Sequence, residues 1–355
     1  MERRQGERSV SKIFVADIQP SQDVASTFVL ADKQLRTARN GTAFLTLKLV
    51  DKTGEITGRV WERAEETGRI LSTGGAVFVQ GRSETYRDEM QIQVQRIQPV
   101  PAAEIDPSDF LPAGPIPAET LLEQLRKITA GIKTRSLAQL ARHLFMDRDL
   151  MERFKRAPAA KSMHHAYLGG LLEHTTAVAH LVSHISQHYS DLNRDLLIVG
   201  AIFHDMGKVD EFVYDLSIDY SHAGRLLGHM ILGVQILEEK LAGLKNFPAE
   251  ESLLLKHLIL SHHGDAQFGA VKLPMTREAF VLHFADDLDA KMNTLTRIMQ
   301  DSRSGDKAWT AYQPVFDRFF FRGLPPDLTE APGMGCEPEE EKGVQLSLWS
   351  SGKKD

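Results

Sequence analysis

Six of the chain's 15 prolines fall between Pro99 and Pro117, in the run Pro-Val-Pro-Ala-Ala-Glu-Ile-Asp-Pro-Ser-Asp-Phe-Leu-Pro-Ala-Gly-Pro-Ile-Pro. A pyrrolidine ring fixes φ and removes the amide donor, so this stretch continues neither a helix nor a strand ladder. It reads as a semi-rigid, Pro-rich linker over residues 101–118 that divides the 355 residues into segments with separate cores. The hydrophobic period changes across it. Before the prolines, Thr42-Ala-Phe-Leu-Thr-Leu-Lys-Leu-Val alternates, with Leu45, Leu47 and Leu49 on one face and Phe44, Thr46 and Lys48 on the other. Asp51-Lys-Thr-Gly54 is a turn, and Glu55-Ile-Thr-Gly-Arg-Val-Trp61 alternates again. A short polar helix near residues 62–72 precedes Ala76-Val-Phe-Val-Gln-Gly-Arg and Met90-Gln-Ile-Gln-Val-Gln-Arg-Ile. Five or so strands with one helix after the third predict a small closed barrel of the OB type over residues 10–100; a generic small β-domain is the alternative.

From Ala118 to about Leu324 the pattern is helical throughout. Leu121, Leu122, Leu125 and Ile128 form one stripe, and Leu171, Leu172, Val178, Leu181, Val182 and Ile185 form another. The expectation is a multidomain chain: an all-β OB-fold barrel, then an all-α helical bundle over residues 119–325. Residues 326–355 carry 3 Lys/Arg against 7 Asp/Glu and read as a disordered acidic tail.

A single Cys excludes a disulfide framework and a Cys-based metal cluster, and fits a reducing cytosol. The charged start lacks the apolar core of a signal peptide. Leu196 to Phe203, the longest apolar stretch, is far short of the roughly 20 residues a membrane span needs. The chain is therefore expected in the cytoplasm, away from membranes. Its net charge of −6 sits outside residues 1–100, which hold 15 Lys/Arg against 13 Asp/Glu.

All 14 histidines lie between His143 and His283. Imidazole is a common metal ligand and proton carrier. His174 follows Gly-Gly-Leu-Leu-Glu, and His204 and Asp205 stand in Ala-Ile-Phe-His-Asp-Met-Gly-Lys208 at the end of an apolar helix. His229 follows Leu-Leu-Gly, His262 and His263 stand in Leu-Ser-His-His-Gly, and Asp286 stands in His-Phe-Ala-Asp-Asp-Leu-Asp-Ala-Lys. An ionised carboxylate in an apolar helical turn needs a compensating cation, and facing helices are where bundles build metal sites.

The order His, His-Asp, His, His, Asp resembles that of the HD-domain metal-dependent phosphohydrolases. His-His-Ala-Tyr-Leu-Gly-Gly-Leu-Leu-Glu-His-Thr, Leu-Ser-His-His-Gly and Asp-x-Leu-Asp-Ala-Lys, behind a barrel of the OB type, are similar to the YhaM-type 3′-5′ exoribonucleases of bacteria. The resemblance covers roughly residues 10–325 and implies a ligand set. His174, His204, Asp205 and Asp286 would hold one divalent ion, and Asp205 would bridge to a second held by His229 and the His262/His263 pair. Mixed nitrogen and oxygen donors suit Mn²⁺, the ion the resemblance favours, or Co²⁺, Fe²⁺, Ni²⁺ or Zn²⁺. Two such ions about 3.5–4 Å apart activate a water and stabilise charge at phosphorus. Asp205 and Lys208 are the catalytic candidates, Lys208 for a non-bridging phosphate oxygen.

A lone helical histidine is more often a core or surface residue than a ligand. His180, His184 and His188 repeat every four residues on a face turned away from His174, and read as solvated. His164 and His165 either line the substrate pocket or cap a helix. Among the three acids near residue 286 the resemblance favours Asp286, leaving Asp289 to pair with Lys291 or with a neighbouring helix.

Phe44, Lys48, Arg59 and Trp61 project from the sheet face opposite Leu45, Leu47, Val60 and Ile56. Single-stranded nucleic acid is bound by such aromatic and cationic faces; the alternative is that Phe44 and Trp61 complete the packing against the helical domain. Arg36, Arg39, Arg82, Tyr86 and Arg87 lie in or beside loops that could track a backbone. The expected function is metal-dependent 3′-5′ exonucleolytic hydrolysis of single-stranded RNA, or DNA, to 5′-mononucleotides. The alternatives are an HD-domain phosphohydrolase of small nucleotides and a non-catalytic single-strand-binding protein. Gln345-Leu-Ser-Leu-Trp349 resembles the bacterial sliding-clamp binding pentapeptide, which makes a clamp a candidate partner, and the resemblance also implies a homo-oligomer.

Overall fold

The period-two segments form five strands: β1 (Asp23–Thr37), β2 (Ala43–Asp51), β3 (Gly54–Val60), β4 (Ala76–Tyr86) and β5 (Glu89–Val100), with helix α1 (Ala64–Ile70) between β3 and β4. The structure, a computed structural model, describes residues 12–38, 41–87, 89–101, 104–162, 164–300 and 308–323. The strands close into a barrel in the order β1-β2-β3-β5-β4. Neighbours run antiparallel except β3 and β5, whose parallel pairing (Thr57 opposite Gln91, Val60 opposite Val94) seals the barrel. That order, with the helix after the third strand, is the OB fold. Phe28, Leu30, Leu47, Leu49, Val79 and Ile92 fill its interior, each worth roughly 1.5–3 kcal/mol relative to exposure. At Gly81, beside a register shift in β4, a Cβ would come 2.2 Å from the Gln93 carbonyl oxygen, so only glycine fits.

Within the Pro-rich segment, Phe110 to Gly114 pack against their neighbours. The Lys12 ammonium sits 4.8 Å from the centre of the Phe110 ring, and Leu111 clusters with Phe212 and Ile218 of the helical domain. Gly114 N–H donates to the Leu168 carbonyl and Leu168 N–H to that of Pro112. Proline prevents a regular ladder but does not stop the apolar Phe110-Leu111 pair from burying itself.

The helical domain contains α2 (Ala118–Ala130), α3 (Arg135–Met146), α4 (Arg148–Arg156), α5 (Gly170–His188), α6 (Arg194–Phe203), α7 (Lys208–Glu211), α8 (His222–Ala242), α9 (Ala249–Ser261) and α10 (Arg277–Gln300). Every residue from Asp195 to Phe203 is buried, so α6 runs through the core, as a helix apolar on all sides must. Asn193 caps it by accepting from Leu196 N–H at 3.0 Å.

Two stretches depart from the all-helical expectation. Phe212–Tyr214 (β6) pairs antiparallel with Ile218–Tyr220 (β7); three-residue strands are too short to display a period. The chain divides into compact units at residues 1–295 and 296–355. In the described part of the second unit, antiparallel bridges join Trp309 to Phe321 and Gln313 to Arg318. Arg39, the acidic tail and Gln345–Trp349 lie outside the described residues. Among those described, no helix is long and apolar enough to cross a membrane.

Candidate metal centre and nucleic-acid face

His174 is drawn into the core by its position on α5, where it shares the buried face with Leu171, Thr175, Val178 and Val182. A fully buried imidazole must find partners. On α10, Asp289 Oδ2 accepts from His174 Nδ1 at 2.7 Å. The other nitrogen, Nε2, points inward, 3.1 Å from Asp286 Oδ1, 3.2 Å from His204 Nε2 and 3.5 Å from Asp205 Oδ2. His204 and Asp205 arrive there because α6 ends immediately before them. The glycine of His-Asp-Met-Gly-Lys has a steric cause: at Gly207 a Cβ would lie 2.0 Å from the His229 carbonyl oxygen and 2.5 Å from Gly233 N. Glycine lets the turn after α6 press against α8.

Asp205 faces two ways. Oδ2 lies 3.5 Å from both His174 and His204 Nε2, whereas Oδ1 lies 3.5 Å from His262 Nε2 and 3.6 Å from His229 Nε2. A kink aims His229. Gly228 has φ 73° inside α8, which frees the His229 amide to donate to Glu211 Oε1 at 3.0 Å, with His229 Nδ1 3.1 Å from the same oxygen. His204, His262 and His263 each turn Nδ1 to a backbone carbonyl, of Ala201, Ile259 and Phe268, at 2.7, 2.7 and 2.8 Å. A carbonyl only accepts, so the proton sits on Nδ1 and leaves the Nε2 lone pair free.

Asp205 Oδ1, His229 Nε2 and His262 Nε2 are buried with no hydrogen-bond partner. Such orphans cost about 1–3 kcal/mol each, and a divalent cation among them would satisfy all three. His174, His204 and Asp286 converge as one donor group, and His229, His262 and His263 as another. Within the second group His262 is the member directed at Asp205, while His263 lies beside it with ring centres 4.4 Å apart. The mixed imidazole and carboxylate set fits divalent ions of the transition series.

The charges support the same fit. Burial alone would raise Asp205, yet the Lys208 ammonium, 2.7 Å from Oδ2, holds it well below the usual carboxylate range. Asp286 is likewise raised by burial but held low, chiefly by its hydrogen bond with His174. Burial works against a charged His174, but the Asp286 and Asp289 carboxylates outweigh it and push the imidazole up to about 10. Burial lowers His262, and lowers His164 to about 4 and His263 to about 3. Without metal, His174 therefore carries the proton that a cation would replace.

The remaining candidates fall in distinct places. Asp287, not Asp289, pairs with Lys291 at 2.6 Å. His165 joins Asp289 Oδ2 (2.9 Å) and the Tyr167 hydroxyl (2.8 Å), so it supports His174 and caps no helix. His180 is half-buried, and His184 and His188 are exposed. Asp289 and Glu211 hydrogen-bond to the ligand candidates His174 and His229, and His165 to Asp289, contacts invisible in the sequence because they span 18 to 124 residues.

On the barrel, Phe44 and Trp61 stack with ring centres 4.7 Å apart and planes 26° from parallel. Trp61 is 43% exposed, Phe44 only 8%. The Arg59 guanidinium lies 5.4 Å from the Phe44 ring and 5.8 Å from that of Tyr86, and its Nε donates to Gln91 Oε1 at 2.6 Å. Tyr86, expected beside a loop, thus joins the aromatic face through Arg59. Lys48 is exposed but pairs with Glu55 at 2.6 Å, and Arg36 stands opposite Phe44 in the β1–β2 register.

Residues 171–291 match the HD domain family. Among solved structures, the second OB-fold domain of replication protein A from Methanococcus maripaludis aligns over 27% of this chain and 97% of its own, at 19% identity and a TM-score of 0.22. The 3′-5′ exoribonuclease YhaM of Bacillus pumilus is 36% identical over 270 residues, 76% of this chain and 85% of the relative. That of Bacillus subtilis shows the same identity and coverage. The enzyme of Halalkalibacterium halodurans is 32% identical over 81% of this chain and 89% of its own. With identity of this order over most of both chains, the protein belongs to the YhaM family of 3′-5′ exoribonucleases.

Proposed function

We propose that this chain is a metal-dependent 3′-5′ exonuclease that hydrolyses phosphodiester bonds of single-stranded RNA, releasing 5′-mononucleotides. The observation that carries the reading is Asp205, whose two oxygens face two separate imidazole clusters. His174, His204, Asp205 and Asp286 would hold one divalent ion, and Asp205, His229 and His262 a second, with His263 at its edge; Mn²⁺ is the favoured ion. Bound there, such ions supply Lewis acidity toward a phosphoryl oxygen and lower the pKa of water enough to yield a nucleophile at neutral pH. The chain's own residues do the rest. Carbonyl and carboxylate acceptors at each Nδ1 keep the Nε2 lone pairs directed inward. Lys208 brings an ammonium beside Asp205 to neutralise charge on the phosphate. Trp61 and Phe44, with Arg59 and Lys48, form a face on which bases stack and the backbone finds positive charge.

The test is product polarity. A single-stranded RNA labelled at its 5′ end and incubated with Mn²⁺ is expected to give a ladder shortened from the 3′ end together with unlabelled 5′-mononucleotides, and EDTA abolishes it. Hydrolysis of free nucleotides with none of the oligomer would select the small-nucleotide phosphohydrolase instead.

A further inference from the structure

The loop that enters α5 holds a non-glycine residue in the left-handed region, His165 at φ 47°, a conformation that costs about 1–2 kcal/mol for an L-residue. Its neighbours impose it. Ala159 and Tyr167 N–H both donate to the His165 carbonyl, at 3.1 and 2.9 Å. His165 N–H donates to Asn293 Oδ1 at 2.9 Å, and a Cβ on Gly170 would come 2.0 Å from that same carbonyl. The turn sends two adjacent imidazoles different ways. His165 enters the Asp289 network. His164 stays half-buried with its ring centre 6.2 Å from that of His174, within electrostatic reach of Lys208, Asp205 and Asp286. Neither of its nitrogens is hydrogen-bonded to a described residue, and it is absent from the convergent donor groups. Strain held by this many partners is a feature of functional sites. Here it places the half-buried His164 imidazole beside His174 without making it a ligand.

We propose that His164 is a catalytic residue, which donates a hydrogen bond to a non-bridging oxygen of the phosphodiester under attack and works with Lys208 on the charge that builds there. The inference rests on the phosphodiesterase reading of the centre. It assigns His164 to the substrate and His165, its neighbour, to the support of His174.

The experiment compares wild type, His164→Ala and His164→Gln on a 5′-labelled single-stranded RNA with Mn²⁺, alongside calorimetric titration of each protein with Mn²⁺. In His164→Ala, kcat is expected to fall roughly 10- to 100-fold, with KM changed less than about threefold and the Mn²⁺ isotherm unaltered. His164→Gln, which retains an N–H donor, recovers part of the rate. Wild-type kcat in His164→Ala overturns the proposal, and so does a rate loss that tracks weakened Mn²⁺ binding, since that marks a ligand or a support for one. A wild type that binds Mn²⁺ and cleaves no strand overturns the underlying reading, and the proposal with it.

Discussion

Asp205 Oδ1 and His262 Nε2 lie 3.5 Å apart in the core, both buried and neither hydrogen-bonded. A carboxylate oxygen and an imidazole lone pair repel at that distance unless a positive charge joins them. In the metal-free protein the positive charges sit on the other side of Asp205, on Lys208 and on the raised His174. The centre is thus charge-balanced only in part until a cation enters the His229–His262 side.

Removing metal should change how stability depends on pH. His174 is raised to about 10 in the metal-free fold against roughly 6.5 in an unfolded chain. The stability it contributes is fully present below the unfolded value and is lost as pH rises toward 10. Thermal melts of EDTA-treated protein should therefore show Tm falling from pH 7 to pH 10. The Mn²⁺-loaded protein, whose His174 Nε2 would hold the ion in place of a proton, should fall less. Parallel curves for the two forms would contradict the assignment of His174.

Asp289→Asn keeps the shape of the side chain but weakens the acceptor for His174 and His165. Supports of this kind are worth about 10- to 100-fold in metal affinity. Calorimetry should show Mn²⁺ binding weakened by that order, with far-UV circular dichroism unchanged. Asp287→Asn, whose partner is the exposed Lys291, should leave affinity within about twofold.

Gly207→Ala places a methyl group against the backbone of α8, which cannot yield as a flexible side chain would. Overpacking of this type costs about 1–3 kcal/mol. Urea unfolding should show the loss, and activity should fall further because the clash lies at His229. Gly74→Ala, a strained turn with open space around it, should lose stability without losing kcat.

Trp61→Ala removes the exposed ring of the aromatic pair and is expected to weaken single-strand binding by about 1–3 kcal/mol, read by fluorescence anisotropy of a labelled oligonucleotide in EDTA. Phe44 is the poorer probe, because at 8% exposure its truncation also opens the barrel surface. Hydrolysis of short oligomers should be less affected than binding of long ones.

Much of the barrel was legible because strands such as β2 alternate, with Leu45, Leu47 and Leu49 buried on one face. The hairpin Phe212–Tyr214 with Ile218–Tyr220 was not, since three residues cannot show a period. Nor was the packing of Phe110 and Leu111, which a proline-rich composition disguises as a spacer. At the centre, it was the resemblance to the HD-domain phosphohydrolases, carried by the order of His and Asp residues, that implied His174, His204, Asp205, His229, His262, His263 and Asp286 as ligands. The distinct positions of His262 and His263, the Gly228 kink and the supports from Asp289 and Glu211 depend on tertiary contacts that adjacent residues do not encode.

The most direct measurement is the stoichiometry of Mn²⁺ bound to wild type and to Asp205→Asn, taken on the same samples used to measure RNA hydrolysis. Two ions per chain are expected for wild type. Asp205→Asn, which loses the charge shared by both clusters, should bind at most one and lose activity by at least about a thousandfold. An Asp205→Asn protein that still binds two ions and cleaves RNA at the wild-type rate would contradict a centre built around this carboxylate.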